Sequence, residues 1–133
     1  STFYVYYHDV YDLSDKIENE VISEVLKNLD NTEEILTDPA GFAEKLFLGY
    51  SSQNSLINTI FTGTRAGQLP LKIEASLKET IFTNYPHYKD EVEFNIRLTY
   101  SIYGGYYAYN QYCKCGDERV TGIIGEISKR VMK

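Results

Sequence analysis

LKIEASLKETIF, residues 71–82, and EVEFNIRLTYSIY, residues 91–103, carry the reading of the fold. In the first, Leu71, Ile73, Ala75, Leu77 and Ile81 share one parity. Lys72, Glu74, Ser76, Lys78 and Thr80 share the other, and Glu79 alone intrudes on the apolar set. Side chains alternate between the faces of a strand, so this pattern predicts a strand with one dry and one wet face. The second stretch repeats it, with Val92, Phe94, Ile96, Leu98, Tyr100 and Ile102 on one parity. Between them lies NYPHYKD, residues 84–90, where Asn84, Pro86 and Asp90 suit a turn. So short a connection predicts antiparallel pairing. A two-stranded hairpin needs cover on its apolar face.

Working outward, TFYVYYH at residues 2–8 reads as a first strand rich in aromatic and β-branched residues. A helix follows from Ser14 to about Leu29, with Ile17, Val21, Val25 and Leu29 four apart. Asp38–Pro39 is a helix start, capped by the aspartate with proline at the first position. Phe42, Leu46, Phe47 and Leu48 supply its contacts, and Gly49 is its expected stop. Residues 51–62 read as a third helical segment, with a strand over 56–62 as competitor. Residues 63–70 read as a loop. Gly104 and Gly105 suggest a turn or bulge, and residues 106–115 a further strand. The tail from Arg119 fits either a helix or a short strand followed by a helix. The expectation is one α+β domain over residues 1–133. Its antiparallel, tyrosine-rich sheet of about four strands is covered on one face by N-terminal helices.

The formal net charge is −6, which disfavours general coating of nucleic acid. Residues 1–48 hold eleven acids against three lysines. That surface suits a basic protein partner, including one that itself binds nucleic acid. No stretch has the length of apolar sequence that crosses a bilayer, and no signal peptide is visible. Cys113 and Cys115 stand too close for a relaxed disulfide. They read as free thiols, which favours a reducing, cytoplasmic compartment.

No motif names a chemistry. The glycines of GTRAG, GG and GIIG lack the spacing of a dinucleotide or phosphate loop, so no cofactor is assigned. The two cysteines and the only histidines, His8 and His87, do not have the spacing of a zinc site, and no metal is assigned. An enzymatic reading would need His8, Arg65, His87 and Cys113 to meet in one pocket.

The compositional anomaly is tyrosine: thirteen residues, with no tryptophan. Tyrosine joins a broad contact area to a polar tip, which suits protein interfaces. The leading expectation is a small non-enzymatic binding or inhibitory protein. Its contact residues would be Tyr103, Tyr106, Tyr107, Tyr109 and Tyr112 at the end of the sheet. Glu18, Glu20 and Glu24 would steer the partner. The alternatives are a subunit that forms homo-oligomers through strand edges, and a small enzyme with the loop-assembled site.

Overall fold

A computed structural model describes residues 2–27, 29, 33–112 and 119–133, except the side chains of 2–12 and 14. Seven α-helices run through them: α1 (Thr2–Leu26), α2 (Glu34–Thr37), α3 (Pro39–Ser52), α4 (Asn54–Ile60), α5 (Gln68–Asn84), α6 (Val92–Tyr112) and α7 (Arg119–Met132). Short 3₁₀ turns at Gly63–Arg65 and Pro86–Asp90 link α4 to α5 and α5 to α6. There is no strand among the described residues, so the expected α+β fold and its sheet are overturned.

Residues 71–82 lie in α5, and the reason is visible in what that helix buries. Its buried stripe is Leu69, Ile73, Leu77 and Ile81, while Leu71, Ala75 and Glu79 are exposed. Residues four apart share a face on a strand and also on a helix. Ile73, Leu77 and Ile81 therefore satisfy both patterns, and only Leu71 and Ala75 distinguish them. Local chemistry favours the helix. Leu, Lys, Glu and Ala are strong helix formers, and Glu74 pairs with Lys78 one turn on at 2.6 Å. Pro70 falls in the first turn, where no backbone donor is needed.

In α6 the alternating residues divide into two stripes. Leu98, Ile102, Gly105, Tyr106 and Tyr109 are buried, and Phe94 is half-buried. Val92, Ile96 and Tyr100 are exposed. A helix with apolar residues on two faces imitates the period of a strand.

The backbone of residues 2–8, expected as a strand, continues the helix that Ile17, Val21 and Val25 signal, forming the 25-residue α1. Asp38 does cap α3 by accepting a hydrogen bond from the Gly41 amide at 3.1 Å, with Pro39 in the first turn. Gly49 does not end that helix, which runs on to Ser52. A side chain at Gly49 would collide with the backbone carbonyl of Val25, so this glycine lets α1 lie against α3. Gly105 does the same between α6 and α3, where a Cβ would stand 2.8 Å from the Phe47 ring. The expected turn at Gly104–Gly105 is thus a helix crossing. α3 packs on both α1 and α7, and α6 on α5 and α7. Buried residues of α1, α3, α5 and α6 merge into one core.

Candidate interaction surface

The second stripe of α6 is the most unusual exposed feature. Val92 is 70% exposed, Ile96 52% and Tyr100 71%. Their spacing, four residues each time, places them on one side of the helix. They line a shallow groove with Lys78 of α5 and Lys89 of the preceding turn. Tyr100 also borders the next groove, of about 230 Å³, between α6 and α7. Gly104, Gly105 and Ala108 lie along it, with Ile127 and Val131 on the α7 side. Ile127 is 53% exposed and Ile123, one turn earlier, 58%. Tyr100 thus joins the exposed residues of α6 to those of α7 in a single apolar face. Arg97 helps hold the two helices together, donating from Nη1 to the Val131 carbonyl at 3.1 Å. Grouped exposed apolar residues mark interaction sites more often than scattered ones do.

The tyrosines are distributed by helical geometry. Tyr106 and Tyr109 belong to the core. Tyr109 stacks on Phe47 at 5.3 Å and its hydroxyl hydrogen-bonds Ser51 Oγ. Tyr50 meets Tyr106 edge-on at 5.7 Å. Burial, then the neighbouring Tyr106, pushes the Tyr50 phenol far above its ordinary range. Its hydroxyl has no hydrogen-bond partner among the described residues. Burial also raises Tyr106, against a lowering hydrogen bond from Asn110. Tyr103 is half-buried and is raised by burial and then by Glu74. Tyr107 and Tyr112 are exposed. The expected sheet end therefore does not exist, and its five tyrosines do not share one surface.

The acidic candidates also separate. Glu20 and Glu24 are exposed on α1, but Glu18 is completely buried. The Arg65 guanidinium grips Glu18 Oε2, with Nε at 2.6 Å. Lys72 Nζ lies 3.0 Å from Glu18 Oε1 without hydrogen-bond alignment, and 2.6 Å from Asp15 Oδ1. Asn19 Oδ1 accepts a further bond from Lys72 at 3.2 Å. Asp15, Glu18 and Asn19 recur at helical spacing, so one face of α1 carries all three. The bond from Lys72 and its charge hold the Asp15 carboxyl below its usual range. Desolvation alone would lower Lys72, but its contacts with Asp15 and Glu18 outweigh that and raise it. Two acids and two bases balance here. The cluster fastens α1 to α5 and to the turn before it, and leaves no vacant charge for a ligand. Arg65 is committed to Glu18.

The two described residues of the alternative His/Cys/Arg pocket are each engaged elsewhere. Arg65 is in the Glu18 cluster, while His87 packs on Tyr88 at 4.3 Å in the turn before α6. The side chain of His8 and all of Cys113 lie outside the described residues. Among the described residues no group of three or more His, Cys, Asp or Glu could hold a metal ion. No described helix is long and apolar enough to cross a membrane.

Sequence reasoning missed Ile96, Tyr100, Ile123 and Ile127 as a surface, and Arg65 and Lys72 as partners of Glu18. A helical wheel of residues 92–112 separates the two stripes, so the first signal was available. The pairing of Lys72 with α1 depends on packing and had no local signal. No protein-family model, curated protein or solved structure matches the chain.

Proposed function

We propose that this chain is a helical interaction module that binds a protein partner on the α6–α7 face. The observation that carries this reading is the exposed second stripe of α6, continued by Ile123 and Ile127. Its partner is an amphipathic segment with apolar residues at helical spacing and carboxylates on its flank. Lys89 on one side, and Lys129 and Arg130 in the last turn of α7, supply the complementary charge. The net charge of −6 weighs against both nucleic acid and anionic lipid as the main target.

The test is a photo-crosslinking amino acid placed at Tyr100, at Ile127 and, as a control, at the exposed Leu48 of α3. The expected result is one adduct mass shared by positions 100 and 127 in cells that make the protein. It should be absent from position 48 and lost on Ile96→Asp, with helical content unchanged. Lipid adducts, or equal yields from all three positions, would sink the reading.

A further inference from the structure

We infer that the occupant of the α6–α7 face is a second copy of this chain, which presents the groove between its α1 and α4; the inference rests on the docking reading above. That groove is open and concave, about 850 Å³ in volume. This is room for about two turns of a helix roughly 10 Å across. Ile17 and Leu56 give it apolar walls, and Asp15, Glu20 and Glu24 outnumber Lys16 along it. Asp15 is occupied by Lys72, which leaves Glu20 and Glu24 to face a partner. Lys27 lies 4.0 Å from Glu24, but both are exposed and so interact weakly.

The α7 edge is the complement of this groove. Ile123, Ile127 and Arg130 fall at i, i+4 and i+7, so one exposed line carries two apolar residues and a cation. Residues 119–133 hold four bases against Glu126 alone, the reverse of the acidic first third. Ile123 and Ile127 would sit against Ile17 and Leu56, and Arg130 against Glu20 and Glu24. The two patches differ, so the contact is heterologous. Each copy uses its groove once and its α7 edge once, and the association propagates head to tail. One helix edge in one groove is at the small end of interface sizes, where transient contacts sit.

Sedimentation velocity of the whole chain over a concentration series tests this. Wild type should sediment faster as concentration rises. Association should weaken when salt goes from about 0.1 M to about 1 M, which shortens the screening length from roughly 10 Å to roughly 3 Å. Glu20→Lys with Glu24→Lys reverses the groove, and Lys129→Glu with Arg130→Glu reverses the edge. Each variant alone should stay monomeric, because its two patches then carry the same sign. An equimolar mixture should associate again, since each groove meets an edge of opposite sign. Misfolded variants would not be rescued by mixing. Association that survives groove reversal but not edge reversal would overturn head-to-tail pairing in favour of a two-fold contact. Wild type that stays monomeric, while Tyr100 and Ile127 still crosslink to a different protein, would overturn self-docking and leave the docking reading standing. Neither association nor adducts would remove both.

Discussion

α1 and α6 each carry one residue type in two opposite environments. α1 buries Glu18 completely and leaves Glu20 and Glu24 in water. α6 buries Leu98 and Ile102 and leaves Val92 and Ile96 in water. Residue type does not decide which side of the surface a side chain occupies. Spacing and partners decide it. Glu18 is tolerated inside because Arg65 and Lys72 reach it, whereas none of the described residues covers Ile96. The first helix shows a buried charge with its partners supplied. The second shows an apolar stripe left exposed.

The sharpest test of this contrast is on α6. Leu98→Ala should cost about 3–5 kcal/mol in urea unfolding, the upper part of the range for a buried leucine. Leu98 borders a void of about 30 Å³, so the new space adds to one already there. Ile96→Ala, two residues away, should change stability by less than about 0.5 kcal/mol. Equal losses at the two positions would mean that the stripe is not exposed. On α1, Glu18→Ala should cost about 3 kcal/mol, because two cations lose the carboxylate they share. That is the low end for a broken buried pair, since Arg65 and Lys72 are partly exposed and can rehydrate. Glu20→Ala should leave the midpoint nearly unmoved.

The two glycines at the centre of α6 extend the contrast to single-atom scale. Gly105→Ala drives a methyl group against the Phe47 ring and should cost about 1–2 kcal/mol. Gly104 has open space around its Cβ position, so Gly104→Ala should stabilise by about 0.5–1 kcal/mol through helix propensity. Thermal unfolding of both variants checks the opposite signs. If both destabilise, Gly104 does not stand in open space; if Gly105→Ala stabilises, the α3–α6 crossing is not where the close approach occurs.

These pairs also mark how far the residues could be read in advance. The helix expected from Ser14 to about Leu29 was legible over its middle, though it starts at Thr2 and ends at Leu26, and the start of α3 at Asp38–Pro39 was legible outright, because each depends on local signals: four-residue spacing, a capping carboxylate, a proline at the first position. The large error was at residues 71–103. Ile73, Leu77 and Ile81 fit both periods, and Ile96 and Tyr100 supplied the extra apolar residues that completed a strand pattern. Glu79 was the contrary sign, a charge on the supposed dry face that a helix turns toward water. Glu18 was legible as an acid but not as a buried one, since its cations come from 47 and 54 residues further along the chain. The candidate tyrosines were assigned by local density, which carries no information about the side of a helix.

The smallest effect concerns pH and compares the exposed rim of the Glu18 cluster with its buried centre. Asp15 is held below its ordinary carboxyl range by Lys72, so its folded pKa lies beneath the unfolded value near 3.8. Its contribution to stability is complete above that unfolded value and disappears as pH falls through the folded one. Lys72 is raised, so its contribution is complete below about 10.5 and disappears as pH rises through its folded pKa. The pair should give a plateau of stability from about pH 5 to about pH 10 with a decline on each side. Asp15→Asn keeps an acceptor for Lys72 but removes the charge. The stability difference between wild type and Asp15→Asn should be constant across the plateau and shrink below pH 4. A difference that grows on acidification would mean that Asp15 is not tied to Lys72, and that Glu18 alone holds the cluster together.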